Sequence, residues 1–324
     1  MHRARIFAIL WSAACMATAS TAEALVLAGD PAAAVVAPGA MEGVPKVGSC
    51  GGALLSDRMH VLTAAHCSPA SGGTTSVTFV TAQGNVVIPA TATVNPGWNP
   101  TLGVNGGNDL AILTLSRIAP TNGYQIYRSI ALNSPTPIEL AGYGAFGTGG
   151  TGATSAADGN LRVGTNTYDV IYSPSVGGIT GGPYLFDLDD GSAPHDAIGG
   201  AFAVHNLGTG DTEAMLARGD SGGPSFIDGM LAGIHSFVLN PGPTFLIAGA
   251  GIGGFGWIGG DTRVAYYAGW IDSVAGVPEP RSWLLTGVGL VGVLAAMRRR
   301  GASVGGQVAR SNPRKRVPSN GFAV

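Results

Sequence analysis

Short apolar segments separated by turn-forming residues recur along the chain from residue 25 to residue 276. Clusters of Gly, Pro, Asn and Ser lie between them, and no long stretch of this region has the period of a helix. This pattern is typical of an all-β sandwich or barrel protein. A body of about 250 residues is compatible with one large β unit or with two small barrels. The clearest segments are residues 59–64, 77–80, 86–88, 110–115, 138–140 and 231–234.

One segment near the end of this body has a helical pattern instead. Within residues 264–274, four apolar side chains fall on one face of a helix: Tyr267, Trp270, Ile271 and Val274. The sequence therefore predicts a short helix after the last strand.

The N-terminus, MHRARIFAILWSAACMATASTAEA, predicts export. Basic Arg3 and Arg5 precede an apolar stretch, and small residues follow, ending in Ala-Glu-Ala at residues 22–24. This order is typical of a secretory signal peptide, whereas a first helix of the fold is the alternative interpretation. We expect signal peptidase to remove residues 1–24, so that the mature chain begins near Leu25.

Export changes the interpretation of the three cysteines. Cys15 lies inside the signal peptide, which leaves Cys50 and Cys67 in the mature chain. An even pair in an oxidising compartment indicates one disulfide. Because no further Cys or clustered His lies nearby, we do not expect a four-ligand zinc site. No cofactor is expected either.

The body is acidic. Residues 25–276 contain seven Lys and Arg against seventeen Asp and Glu, a net charge of −10. Such a surface repels phosphates, so a nucleic-acid partner is not expected.

An acidic turn within this body invites a calcium interpretation. Asp187, Asp189 and Asp190 precede Gly191, and clustered oxygen ligands before a glycine turn suit calcium. The spacing does not complete an EF-hand loop, so an ordinary acidic turn is the alternative.

Three segments together supply His, Asp and Ser: VLTAAHC (61–67), NDLAILTL (108–115) and RGDSGGPSF (218–226). This set is the one that nucleophilic acyl transfer needs. His66, with an ordinary pKa near 6.5, can take the proton of Ser221, and a buried Asp109 would hold the imidazole tautomer. The backbone N–H groups of Gly219 and Ser221 would stabilise the oxyanion.

The stretch GDSGG at residues 219–223 also matches the nucleophile elbow of α/β hydrolases. In those enzymes the chain order is Ser, acid and His. Here the order is His66, Asp109 and Ser221 on a β-rich chain, which excludes the elbow.

The sequence resembles the chymotrypsin-like (trypsin-fold) serine endopeptidases over residues 25–276. Three segments resemble those around the catalytic His, Asp and Ser of that family: SCGGALLSDRMHVLTAAHC, NDLAILTL and GDSGGP. The segment GIHSF (233–237) resembles the substrate-binding strand of the family. The segment TRVAYYAGWI (262–271) resembles its final strand and helix. The resemblance implies two six-stranded antiparallel Greek-key barrels, about residues 25–128 and 138–263, with the triad between them. It also implies a disulfide between Cys50 and Cys67.

The resemblance further assigns the substrate-binding residues Met215, Arg218, Ser236, Val238 and Gly259. Met215 stands at the base of the primary pocket and Val238 narrows the pocket entrance, which predicts cleavage after small or medium apolar residues. His235 and Arg218 stand where acid-selective relatives place polar groups, so cleavage after Glu or Asp is the alternative.

Two further expectations concern the state of the enzyme. In the family, a new N-terminus inserts and pairs with the Asp before the nucleophile, here Asp220, so signal removal before Leu25 could itself release the active form. A catalytically inactive homologue that acts as a surface binding or adhesion module is the alternative function, but no triad position is replaced.

The C-terminal stretch VPEPRSWLLTGVGLVGVLAAMRRR (277–300) predicts a membrane stage. Its apolar run is short for a span, which needs about 17 to 25 residues, and the arginines at 298–300 fit a stop-transfer segment. It resembles the PEP-CTERM sorting signal of Gram-negative bacteria. That resemblance implies an apolar sorting helix, membrane contact through residues 283–297, release by an exosortase-type enzyme, and delivery to the cell surface or extracellular matrix. Residues 301–324 are predicted to be a basic disordered tail.

Overall fold

The structure, a computed structural model, describes residues 25–132, 135–172 and 181–276. The predicted signal peptide (1–24), the sorting segment (277–300) and the basic tail (301–324) lie outside the described residues. The chain divides after Ala275 into two units, and the fold below is that of the first.

Strands dominate the described residues. In chain order the strands are β1 (Val26–Leu27), β2 (Lys46–Val47), β3 (Cys50–Gly51), β4 (Ala53–Leu54), β5 (His60–Thr63), β6 (Thr74–Thr81), β7 (Gly84–Val94), β8 (Ala111–Leu115), β9 (Thr136–Gly142), β10 (Phe146–Thr148), β11 (Gly152–Ser155), β12 (Arg162–Tyr168), β13 (Val170–Ile171), β14 (Tyr184–Asp187), β15 (Ala214–Met215), β16 (Pro224–Ile227), β17 (Met230–Leu239) and β18 (Ile258–Arg263). The helices are α1 (Ala197–Phe202) and α2 (Ala268–Ala275), with 3₁₀ turns at Ala65–Cys67, Gly103–Gly106, Ala193–His195 and Val264–Tyr267.

The first large sheet closes on itself. Its order is β3-β2-β6-β7-β8-β5-β4, all antiparallel, and its two edge strands are consecutive in the chain, separated only by Gly52. A Cβ at Gly52 would lie 2.7 Å from Cγ1 of Val61, so only glycine fits at this bend. Counting β3 and β4 as one bent strand gives a barrel of six strands. Its core is apolar and includes Val47, Phe79 and Leu113.

The second large sheet closes in the same way. Its order is β12-β9-β16-β17-β18-β14-β13, again antiparallel, and Asp169 alone separates the two edge strands. Numbered one to six along the chain, the strands of both barrels close in the order 1-2-3-6-5-4. The aromatic rings of Tyr168 and Tyr184 stack in the second core with centroids 4.2 Å apart. The predicted pair of six-stranded antiparallel Greek-key barrels is confirmed.

A third, smaller sheet was not predicted. In the order β11-β10-β1-β15, strand β1 pairs parallel with β10 and antiparallel with β15. Leu25 and Val26 are fully buried and belong to the core cluster that holds Tyr168. The first residues of the described chain therefore pack with strands from its second half.

The predicted short C-terminal helix is present. A 3₁₀ turn leads into α2, and Ile271 is buried against the core together with Tyr267, while Trp270 and Val274 pack at its edge. Arg128 and Asp272 form an ion pair at 2.7 Å that ties the helix to the chain between the barrels. In the described part of the chain, no helix has both the length and the apolar character needed to cross a membrane.

Candidate active site

His66 and Asp109 form a two-point contact in the first barrel. His66 lies in the 3₁₀ turn after β5, and Asp109 lies just before β8. Nδ1 of His66 is 2.8 Å from Oδ2 of Asp109, and the backbone N–H of His66 donates to Oδ1 at 3.0 Å. The Asp109 side chain is only 2% exposed, whereas that of His66 is 32% exposed. The imidazole is thus held from its Nδ1 side, which leaves Nε2 as the nitrogen available for proton transfer.

The second barrel completes the surroundings of Asp109. Oγ of Ser236 donates to Oδ2 of Asp109 at 2.6 Å, and Oγ1 of Thr262 donates to its backbone carbonyl at 2.9 Å. A buried carboxylate without donors would be costly, and these contacts offset that cost.

The predicted disulfide between Cys50 and Cys67 is present, with Cα atoms 6.1 Å apart. It joins β3 to the residue that follows His66. Cys50, His66 and Cys67 are close enough together to be considered as metal ligands, but the disulfide removes both thiolates from such a role.

Ser221 lies in the loop before β16, and this loop packs directly on the first barrel. The backbone N–H of Gly51 donates to the carbonyl of Ser221 at 2.8 Å. A Cβ at Gly222 would lie 2.3 Å from Oγ1 of Thr63 and 3.1 Å from N of Ala64, so this glycine allows the close approach. The loop with Ser221 therefore touches the chain that leads into His66.

Among the described residues, Oγ of Ser221 is not hydrogen-bonded to His66. Such contacts are often long without substrate and tighten in its complex. Gly219 has a φ of 93°, a backbone conformation that favours glycine. The backbone N–H groups of Gly219 and Ser221 make no hydrogen bond to the described residues.

Asp220 is fully buried beside Ser221. Its carboxylate accepts the backbone N–H of Gly144 at 3.0 Å and that of Ala217 at 2.8 Å. Burial raises the pKa of Asp220 to about 7, because the charged form is poorly solvated there. A Cβ at Gly142 would lie 2.0 Å from Oδ1 of Asp220, so the carboxylate occupies the space of that missing side chain.

Three of the predicted substrate-binding residues come together. Val238 pairs with Gly259 between β17 and β18, and a Cβ at Gly259 would lie 3.0 Å from Sδ of the buried Met215. Ser236 stands on the same strand but its hydroxyl is bonded to Asp109. Arg218 is exposed, and its carbonyl accepts the N–H of Ala145 at 3.0 Å.

The structure adds a buried polar network that the sequence motifs did not indicate. Nδ1 of His235 is 2.9 Å from Oδ1 of Asp261, and Oδ2 of Asp261 accepts from Tyr168 at 2.6 Å and from Ser225 at 2.5 Å. Within the described residues, Nε2 of His235 is buried without a partner. Asp261 lies in β18, and none of the sequence motifs includes it.

The three predicted calcium ligands are not all together. Asp187 and Asp189 are buried and adjacent, and the third carboxylate beside them is that of Asp196. Asp190 is exposed instead, where its carboxylate contacts Ser192 at 2.5 Å and His195 at 2.5 Å.

The trypsin family model matches residues 38–175, a range that includes His66 and Asp109. Among solved structures, the chain is similar to mouse neuropsin, described as a serine protease expressed in the limbic system of mouse brain. The two share 21% identity with a TM-score of 0.54, over 74% of this chain and 97% of neuropsin. No curated protein matches the sequence. The likeness to neuropsin shows the fold, and the trypsin family match supports a hydrolase of the serine-endopeptidase type.

Proposed function

We propose that the protein is an exported serine endopeptidase with Ser221 as nucleophile, His66 as general base and Asp109 as the residue that orients it. The observation that carries the proposal is the contact between Asp109 and His66. Ser236 donates a hydrogen bond to the same carboxylate, and the loop with Ser221 packs against the chain that leads into His66. The complete set argues against the alternative of an inactive binding or adhesion homologue.

The reaction follows from these positions. Nε2 of His66 takes the proton from Oγ of Ser221 as Oγ attacks the carbonyl carbon of the peptide bond. The buried Asp109 carboxylate stabilises the imidazolium that results. His66 then gives the proton to the leaving amine, which leaves an acyl group on Ser221. Water, activated by the same imidazole, hydrolyses the ester and restores the enzyme.

The oxyanion of each tetrahedral intermediate is stabilised by two backbone donors, the N–H groups of Gly219 and Ser221. Neither donor is used by the described residues, and the left-handed backbone of Gly219 supports this arrangement. Loss of one such donor typically costs 10²- to 10³-fold in rate. A side chain at residue 219 would both strain the turn and obstruct the carbonyl.

Signal removal would also activate the enzyme. Val26 is opposite Met215, and the same antiparallel register puts Leu25 opposite Leu216. The next residue, Ala217, donates its N–H to Asp220. This register supports an ion pair between Asp220 and the α-amino group of a chain that begins at Leu25. The positive charge would compensate a carboxylate that burial disfavours.

Substrate preference is proposed from the residues that the sequence assigns to substrate binding. Met215, Val238 and Gly259 form an apolar, narrow region, which suits small or medium apolar residues before the cleaved bond. One observation favours the acid-selective alternative, because His235 is buried with no partner for Nε2 in the described residues. A protonated imidazole there would pair with a Glu or Asp side chain.

The route of the protein is proposed from both ends of the chain. Signal peptidase would release the mature N-terminus, and an exosortase-type enzyme would remove the sorting segment at the membrane, releasing the protease to the cell surface or extracellular matrix. The disulfide supports an oxidising compartment.

A peptide-library digestion with the secreted chain tests the activity and the preference together. We expect cleavage after small or medium apolar residues, none with Ser221→Ala, and unchanged cleavage with the control Ser273→Ala, a change at an exposed serine. Cleavage confined to bonds after Glu and Asp would select the acid-specific alternative. Equal cleavage by Ser221→Ala would refute the proposed nucleophile.

A further inference from the structure

A cluster of carboxylates lies in the second half of the chain, and none of its members belongs to the proposed catalytic set. It consists of Asp187, Asp189, Asp196 and Glu213, hereafter the acidic cluster, and each is 2% exposed or less. One carboxylate oxygen of each of the three Asp residues lies within 4.8 Å of the others. The backbone N–H of Asp189 donates to Oε1 of Glu213 at 3.0 Å, which brings the fourth carboxylate alongside.

Asp189 distinguishes this cluster from an ordinary acidic turn. Both of its carboxylate oxygens are buried and have no hydrogen-bond partner in the described residues. The other members each accept a backbone N–H: Asp187 from Ile198 at 2.7 Å, Asp196 from Gly199 at 2.6 Å, and Glu213 from Thr209 at 2.5 Å. Because buried polar groups are nearly always satisfied, the two oxygens of Asp189 indicate a missing ligand between the carboxylates.

The charge of the acidic cluster is not balanced by protein cations. Within the described ranges, no Lys or Arg forms an ion pair with it, and its basic neighbour is His205, whose Nδ1 is 2.7 Å from Oδ2 of Asp196. The buried carboxylates beside Asp189 repel its carboxylate, because little solvent separates them. A bound cation would remove both the repulsion and the unsatisfied oxygens.

We propose that the acidic cluster binds a calcium ion through carboxylate oxygens of Asp187, Asp189, Asp196 and Glu213. The donor set contains only oxygen, which selects hard cations over zinc or copper. Calcium accepts six to eight such ligands in flexible geometry, whereas magnesium demands a near-ideal octahedron and retains waters. The backbone donors of Ile198 and Gly199 orient the ligating carboxylates, as outer contacts commonly do at metal sites.

The cation would stabilise the base of the substrate region, a consequence that rests on the proposed function. Nδ2 of Asn166 donates to the carbonyl of Asp187 at 2.8 Å and to that of Ala214 at 2.9 Å, so it joins the two segments that carry the ligands. Met215 is two residues after Glu213. Phe186 is the residue before Asp187, and a Cβ at Gly259 would lie 2.5 Å from its ring. The acidic cluster is therefore adjacent in the chain to residues that pack at Gly259.

The test uses the secreted chain with Ser221→Ala, so that self-digestion cannot mimic a change in stability. After chelator treatment, calcium at about 100 times its dissociation constant should raise the melting temperature by about 5 to 10 °C. Terbium should bind competitively with calcium and show luminescence sensitised by Trp257, whose carbonyl accepts the N–H of Leu188 at 3.2 Å. Both readouts are independent of catalysis, so their failure and that of the proposed function are distinguishable.

Two matched variants locate the site. Asp189→Asn should lose the calcium-dependent rise and the terbium signal, whereas Asp190→Asn, a change at the exposed neighbour, should keep both. If the chain with an unsubstituted acidic cluster shows neither the rise in melting temperature nor the terbium signal, the proposal is overturned. This outcome does not depend on whether the Asp189 variant folds. A rise that persists in Asp189→Asn, or an equal rise with magnesium, would also overturn it.

Discussion

Oγ of Ser236 donates a 2.6 Å hydrogen bond to Oδ2 of Asp109, the same oxygen that lies 2.8 Å from Nδ1 of His66. Ser236 is in β17 of the second barrel, while His66 and Asp109 belong to the first. The orientation of the proposed base is therefore fixed by contacts from both barrels, and the proposed catalytic chemistry depends on how the barrels pack.

Removal of the Ser236 hydroxyl tests this dependence. Ser236→Ala leaves Asp109 with one donor fewer, and a hydrogen bond to a charged group is worth about 1.5 to 3 kcal/mol. We expect kcat to fall by about tenfold or more, with little change in KM. Steady-state kinetics on a peptide ester measure both constants, and Ser273→Ala serves as the exposed-serine control. If kcat of Ser236→Ala equals that of wild type, catalysis does not need the hydrogen bond from Ser236 to Asp109.

The disulfide should hold the turn that carries His66. Cys50 and Cys67 are 17 residues apart in the chain, and closing such a loop stabilises the folded state by about 3 kcal/mol. The double variant Cys50→Ser and Cys67→Ser should lose about that much free energy of unfolding, measured by urea denaturation. Because the turn is also released, kcat should fall. Unchanged stability under oxidising conditions would contradict this role.

Asp220 gives a prediction for pH. Burial raises the pKa of Asp220 to about 7 from an ordinary value of 3.8. The folded chain then binds this proton more tightly than the unfolded chain. The contribution of Asp220 to the free energy of unfolding therefore decreases as pH rises from about 4 to about 7. In a chain that retains residues before Leu25, Asp220→Asn should remove this decrease of the free energy of unfolding with pH. Urea unfolding at several pH values measures it.

A chain that begins at Leu25 should behave differently, because its α-amino group would compensate the Asp220 charge. In that chain, we expect wild type and Asp220→Asn to differ less in the pH dependence of the free energy of unfolding. The same difference in both chains would contradict the proposed ion pair.

Val238 tests the proposed substrate preference. Val238→Gly removes the isopropyl side chain beside Gly259, with which Val238 pairs. The ratio of kcat/KM for substrates with Phe to those with Ala before the cleaved bond should rise by about 10- to 200-fold. The control Val87→Gly changes an exposed valine of β7. An unchanged ratio would place the specificity elsewhere.

Local patterns in the sequence predict much of the fold and the nucleophilic set, because apolar alternation and short motifs depend on neighbouring residues. The partners of β1 could not be predicted, since they lie more than a hundred residues away. The short helix α1 has two glycines in AIGGAF and little propensity of its own, and its formation depends on the cap by Asp196.

The full membership of the acidic cluster could not be predicted from the sequence either. Asp189 and Asp190 are adjacent in sequence, and their spacing gives no reason to separate them. The chain turns so that Asp190 reaches His195 at the surface while Asp196 returns to Asp187 and Asp189 in the interior. Only the path of residues 190–196 decides which carboxylates meet.

The most direct test of the proposed mechanism is covalent labelling of the secreted chain with a fluorophosphonate, followed by mass spectrometry of its peptides. The mechanism predicts one adduct, on Ser221, which disappears in His66→Ala although that variant remains folded. A correctly folded chain that acquires no adduct on Ser221, or one labelled as fast in His66→Ala as in wild type, would contradict it.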